Sequence, residues 1–284
     1  MAAVSRCAGL GGIMEIAELE KKARKIRRSI IEMLSKAGSG HPGGSLSSVE
    51  LVTGLYFSKM RFNPEDPHDP GRDYFVLSKG HVCPVLYATL SEIGYISCDE
   101  LCTLRKPGSR LQGHPAMDKN VPGVEVSTGS LGYGLSIGAG IALGLKTEKK
   151  SNRVYVLMGD GEQQEGSIWE AAMAAGHYGL DNLCGIVDNN HLQIDGRVED
   201  IMGVDPLADK YRAFGWHTIE INGHSFPEVL RAYDEAAAHK GTPTVIIART
   251  IKGKGVSFME NIADWHGKTP NNEQTEKALK ELAD

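Results

Sequence analysis

The sequence has no CxxC pair: Cys7, Cys83, Cys98, Cys102 and Cys184 form an odd, scattered set. Such a set fits neither a disulfide framework nor a zinc site, and it points to a reducing, cytoplasmic setting. Long apolar runs are missing as well. The longest are short and broken by glycine, far from the roughly 20 residues that span a bilayer, so no membrane passage is expected. Nor is there an excess of basic residues. Lys and Arg number 31 against 36 Asp and Glu, a net charge of -5, which argues against nucleic acid held by electrostatics. Internal repeats and low-complexity tracts are also absent.

What is present is globular in kind. The 284 residues are 41% hydrophobic and 24% charged, and their length allows one large α/β domain or two small ones, a single domain being the economical reading. Glycine is the unusual count, at 34, and it clusters where chemistry is argued below. Residues 1–13 carry one Arg and a weak apolar stretch interrupted by glycine, too broken for a secretory signal. They read as a disordered leader or a non-native extension ahead of residues 14–284.

Helical spacing runs over residues 15–36, where Ile16, Leu19, Ala23, Ile26, Ile30 and Met33 step by three or four and Gly38 stands at the cap position. Lys21, Lys22, Arg24, Lys25, Arg27 and Arg28 crowd this helix and read as a solvated face. A Gly/Ser-rich loop is expected over residues 38–48, a second apolar helix over 49–60, and a Pro-rich loop over 63–72. Strands are expected at 74–77, 154–158, 183–187, 216–221 and 244–248, with helices at 168–178 and 228–240. Strands alternating with helices of this length indicate βαβ units, hence a doubly wound, mostly parallel sheet with helices on both faces.

The chemistry centres on Gly159-Asp160-Gly161 and Asn189-Asn190. A strand delivers Asp160 into a turn whose glycines let backbone approach a phosphate, and the next strand delivers Asn190. Both then lie at carboxyl ends of parallel strands, where open α/β sheets bind ligands. One carboxylate and one amide oxygen, with a backbone carbonyl nearby, suit a hard cation such as Mg²⁺. A dinucleotide fingerprint fails at Gln164, a Walker loop has no Gly-Lys-Ser/Thr, and an EF-hand fails at Leu192. Taken singly, Gly-Asp-Gly is more readily a plain turn.

Spacing changes that balance. Between Gly161 and Asn189 lie 27 residues, and the pair resembles the diphosphate-binding signature of thiamine diphosphate enzymes. Ser39-Gly-His41-Pro-Gly43, Leu77-Ser-Lys-Gly-His81, Gly113-His114-Pro115, the Val124–Gly132 segment with Gly129 and Leu131, and Asp264-Trp-His266-Gly267 are similar to transketolase segments, in transketolase order. The resemblance covers the chain from about Glu15 to Asp284 and matches only the first of that family's three domains.

It implies the N-terminal subunit of a split transketolase, a cytoplasmic enzyme of the pentose phosphate pathway. A separate chain would bring the pyrimidine-binding and C-terminal domains, most simply as two copies of each. Together they would transfer a two-carbon ketol unit between sugar phosphates, using thiamine diphosphate and Mg²⁺ (Ca²⁺ or Mn²⁺ able to take its place). Carried over residue by residue, Asp160, Asn190 and the Leu192 carbonyl hold the metal. Gly159, Gly161 and Glu162 attend the diphosphate, and Gly129 and Leu131 face the pyrimidine. His81 and His266 reach the cofactor or the reacting carbons, and His41 and His114 bond sugar hydroxyls. Glu165 links cofactor sites across a dimer. Lys252 and Lys254 read equally as diphosphate contacts and as solvated loop lysines. The other histidines (His68, His177, His191, His217, His224, His239) keep structural or surface readings. Two further functions stay open: another two-chain thiamine diphosphate enzyme, such as a 2-oxo acid decarboxylase component or a transketolase for an unusual sugar, and a non-catalytic module retaining the fold.

Overall fold

The computed structural model describes residues 14–283; the expectation about residues 1–13 lies outside the described residues. The helices are α1 (Ile16–Ala37), α2 (Pro42–Ser47), α3 (Val49–Ser58), α4 (Cys83–Glu92), α5 (Cys98–Leu101), α6 (Tyr133–Thr147), α7 (Gly166–His177), α8 (Val198–Met202), α9 (Leu207–Ala213), α10 (Phe226–Ala238) and α11 (Asn272–Glu281). The strands are β1 (Tyr74–Leu77), β2 (Val154–Gly159), β3 (Leu183–Asn189), β4 (Leu192–Gln193), β5 (Gly196–Arg197), β6 (His217–Asn222) and β7 (Thr244–Arg249).

Five strands form one parallel sheet in the order β1-β2-β3-β7-β6, and β4 with β5 makes a small antiparallel ribbon. Period-two alternation explains why both faces are covered. Tyr155, Leu157, Cys184, Ile186, Ile246 and Ala248 point into one core with α1, α3, α4 and α10. Val154, Val156, Met158, Leu183, Val187, Val245 and Ile247 point into the other, with α6, α7 and α9. Every residue of β3 is buried, as a central parallel strand requires. The doubly wound reading is borne out.

Residues 38–48 depart from the expected open loop. Six of them form α2, because Pro42 fixes φ at the helix start, where its missing N–H costs nothing. Ser45 Oγ donates to the His41 carbonyl at 2.6 Å and Ser48 Oγ to the Gly44 carbonyl at 2.8 Å. These serines satisfy backbone carbonyls inside the fold, so the helix is buried at all six positions. The basic stretch of α1 is likewise not wholly solvated. Arg27 is buried against Glu50 at 2.7 Å, and Lys25 pairs with Glu92 at 2.7 Å. Among the described residues no helix is long and apolar enough to cross a membrane.

Candidate active site

Four strand ends build the site. β1 runs into Ser78 and Lys79, β2 into Asp160, β3 into Asn190, and β7 into Thr250 and Lys252. At their centre is Asp188, the penultimate residue of β3 and fully buried. Its carboxylate accepts from Ser47 Oγ at 2.6 Å, Ser48 Oγ at 3.2 Å and Asn190 Nδ2 at 3.2 Å, and from Lys79 and Thr250. Burial alone would raise its pKa, but the Lys79 ammonium and the two hydroxyls of Ser47 and Thr250 hold it below the ordinary carboxylate value. Sequence reading missed Asp188 and Lys79. The available signal was a carboxylate closing an otherwise apolar strand, with a lysine inside a motif already noted for its histidine.

Asp160 sits beside this hub, 3% exposed. Its Oδ1 accepts from the Gly161 N–H at 2.7 Å and its Oδ2 from the His191 N–H at 2.5 Å. Burial, and then the charge of Asp188, push its pKa up to about 6. Asn190 Oδ1 accepts from the Leu192 N–H at 3.1 Å. The Leu192 carbonyl accepts from Lys252 Nζ at 2.9 Å, and that ammonium also donates to His266 Nδ1 at 3.0 Å. Burial lowers the Lys252 pKa to about 8. Lys252 and Lys254 therefore part company: Lys252 enters the site, while Lys254 pairs with Glu260 at 3.3 Å outside it.

The four motif histidines converge. Ring centroids lie 5.0 Å apart for His41 and His81, 5.4 Å for His41 and His266, 5.1 Å for His81 and His266, and 6.4 Å for His41 and His114. Burial, followed by the Arg105 charge, lowers His41 to about 4. Burial, followed by Lys252, lowers His266 to about 3. His81 is depressed by burial and by His266, and His114 by burial and Arg105. The cluster is neutral at pH 7, so it meets a ligand as imidazole donors and acceptors rather than as cations. Among the described residues His41 Nδ1 and Thr128 Oγ1 are buried with no hydrogen-bond partner, a state that polar atoms rarely keep without a ligand or water.

Gly129, at φ 142°, lies flat against His114: a Cβ there would come within 2.8 Å of the imidazole. Leu131 is half-buried beside it. Gly159 and Gly161 flank Asp160 as expected. Glu162 is placed beneath the site, accepting from Gly132 N at 2.9 Å, Gly159 N at 3.0 Å and Ser78 Oγ. It braces the ends of β1 and β2 and the start of α6. Glu165 is exposed at the head of α7, packed against Gly132. A hollow of about 630 Å³ opens by Asn189, His191, Pro206 and Arg249, but none of the four clustered histidines, Asp160 or Asn190 lines it.

Among the described residues no three His, Cys, Asp or Glu side chains are grouped to hold a metal. A cation here would therefore rest on a mixed oxygen set, the Asp160 carboxylate with amide and backbone carbonyl oxygens. That set fits a hard divalent ion, whose charge would also reverse the burial cost at Asp160.

A parallel sheet presenting buried acids and an oxygen-donor pair at its strand ends, with neutral histidines gathered from the adjoining loops and turns, has the form of a cofactor-dependent α/β enzyme domain. Residues 19–283 match the family described as transketolase, thiamine diphosphate binding domain. The chain is 46% identical over 271 residues to one of the named subunits of the apulose-4-phosphate transketolase of Phocaeicola vulgatus, covering 95% of this chain and 96% of that protein. It is 44% identical over 265 residues to 6-deoxy-6-sulfo-D-fructose transketolase subunit SqwG of Clostridium sp., covering 93% and 96%. Mouse transketolase is 43% identical, over 93% of this chain but 42% of its own length. The crystal structure of Campylobacter jejuni transketolase superposes with a TM-score of 0.89 at 32% identity, covering 95% of this chain and 43% of that one. The chain belongs to the transketolase family, as its thiamine diphosphate-binding domain.

Proposed function

We propose that this chain is the N-terminal subunit of a two-chain transketolase, moving a two-carbon ketol unit from a ketose phosphate to an aldose phosphate. The observation that carries this reading is the neutral four-histidine cluster, joined through His266 and Lys252 to the Leu192 carbonyl of the segment that holds Asn190. Length-matched relatives named as transketolase subunits support the two-chain arrangement. The partner would bear the pyrimidine-binding and C-terminal domains, with two copies of each chain in the assembly, since closed two-fold symmetry is the commonest arrangement. Reduced cysteines, free at Cys83, Cys98, Cys102 and Cys184, accord with a cytoplasmic enzyme of pentose phosphate metabolism.

Thiamine diphosphate, when bound, supplies the electron sink for breaking and remaking a carbon–carbon bond next to a ketose carbonyl. The chain's own residues do the rest. Asp160, Asn190 and the Leu192 carbonyl would hold Mg²⁺, with Ca²⁺ or Mn²⁺ able to replace it. Gly159 and Gly161 leave room for diphosphate, and Lys252, already at the Leu192 carbonyl, offers it positive charge. Gly129 and Leu131 would meet the pyrimidine through backbone atoms. His41 and His114 would orient sugar hydroxyls, while His81 and His266, neutral and stacked, can accept or return a proton at substrate oxygens. Glu165, exposed and without a salt bridge among the described residues, would reach the partner chain.

Because two relatives carry the names of uncommon sugars, an unusual ketose is the second reading for the donor. Calorimetry of thiamine diphosphate on the assembled chains, with and without Mg²⁺, tests the cofactor assignment. Binding should require the ion, and equal affinity in its absence would contradict the metal role.

A further inference from the structure

Lys252 reaches the site from a loop, not from a strand. Residues 250–255 contain Gly253 at φ 78° and Gly255 at φ 92°, backbone that gives little intrinsic rigidity. Yet Lys252 is 2% exposed, with its ammonium fixed between the Leu192 carbonyl and His266. Something behind the loop must hold it.

Backbone bonds from the Gly253 N–H to the Gly43 carbonyl and from the Asn261 N–H to the Lys252 carbonyl, both 2.9 Å, hold its far side, and three side chains from separate elements hold the rest. Arg27 of α1 pairs with Glu50 of α3 at 2.7 Å, and Glu50 Oε2 meets His224 Nδ1, from the turn between β6 and α10, at 2.9 Å. The two free ends of this triad then grip the loop on either side of Lys252. His224 Nε2 accepts from the Ile251 N–H at 2.8 Å, and Arg27 Nε donates to the Lys254 carbonyl at 2.9 Å. A backbone N–H can only donate, so Nε2 is bare and the imidazole proton sits on Nδ1, pointing at Glu50. The tautomer is thereby fixed by its two neighbours. Stability does not explain such a triad well, since a buried ion pair roughly loses in desolvation what it gains in attraction. Placement of the loop does explain it.

We propose that His224, held in register by Glu50 and Arg27, is a positioning residue for Lys252. It acts through the Ile251 amide and sets where the ammonium stands in the cofactor site. The proposal rests on Lys252 being a group of that site, so its test must read the loop directly as well as the cofactor.

Reductive methylation of the whole chain, read by mass spectrometry, reports Lys252 accessibility, with Lys79 (3% exposed) as the buried control. His224→Leu removes the acceptor and should speed methylation of Lys252 about tenfold, the equilibrium shift expected from one lost net hydrogen bond, while Lys79 stays slow. His224→Gln keeps an acceptor at the Nε2 position and should restore slow labelling. In the assembled enzyme, His224→Leu and Lys252→Met should each weaken thiamine diphosphate binding, with no further loss in the double variant. If His224→Leu lowers the melting temperature but leaves Lys252 labelling unchanged, or loosens Lys79 equally, the residue is merely structural and the proposal falls. If labelling responds as expected but Lys252→Met binds cofactor normally, the clamp stands and the role given to Lys252 in the cofactor site fails instead.

Discussion

Asp160 is ionised at neutral pH against the pull of its own burial, which has raised its pKa to about 6. A divalent cation is the natural counterweight. Asp160→Ala should therefore abolish Mg²⁺-dependent binding of thiamine diphosphate by the assembled enzyme. Asn190→Ala removes only a neutral oxygen and should weaken binding less; calorimetry on both variants checks the order. The clustered histidines make a second prediction. Imidazoles titrate ordinarily near 6.5, but His41 does so at about 4 and His266 at about 3 in the fold. Between those values the unfolded chain binds more protons than the folded one. Their contribution to stability is thus fully present above pH 6.5 and is lost as the pH falls through about 4 for His41 and about 3 for His266. The drop in melting temperature from pH 7 to pH 5 should be smaller in His41→Phe than in the parent, and equal drops would contradict a neutral, buried cluster. The histidines were legible in sequence because each stands in a glycine-rich motif. Asp188 and Lys79 were not, because their role depends on three strand ends and α2 meeting in space, which spacing along one strand does not reveal.

At the scale of elements, the strands were readable from runs of β-branched residues, and α1 from its 3.6-residue period. α2 and α6 were not. α2 hid behind serine and glycine, whose helical state depends on burial and on hydroxyls bonding back to carbonyls. α6 holds Gly134, Gly138, Gly140 and Gly144, a composition that propensity assigns away from helix. Two of these glycines permit close packing: a Cβ at Gly134 would fall 2.6 Å from the Ser78 Cα, and one at Gly138 would fall 2.4 Å from Val156 Cγ2. Gly144 faces open space. Gly134→Ala should cost about 1–3 kcal/mol through overpacking and disturb the turn carrying Lys79 and His81. Gly144→Ala should stabilise the isolated chain by up to about 1 kcal/mol through helix propensity. Urea denaturation of both variants checks the opposite signs; loss of stability in Gly144→Ala would contradict the open space found beside Gly144.

For the whole molecule, the parallel sheet followed from strands alternating with helices, whereas the strand order did not. β7 inserts between β3 and β6, and this brings Lys252 and Thr250 next to Asp188; nothing in the local pattern of residues 216–250 specifies that insertion. The chain spans about two-fifths of the single-chain transketolases it resembles, at 42% of the mouse enzyme and 43% of the Campylobacter one. The site as built holds the oxygen donors and the histidines, while Glu165 stands exposed at its edge with no salt bridge among the described residues. These features support an activity that belongs to an assembly. The measurement that tests this most directly is ketol transfer from xylulose 5-phosphate, with thiamine diphosphate and Mg²⁺ saturating, by the purified chain alone and after mixing with a purified chain bearing the pyrimidine-binding domain. The account predicts no turnover by this chain alone and turnover that saturates at equal amounts of the two. Full turnover by this chain alone, at a level excluding contamination, would contradict it.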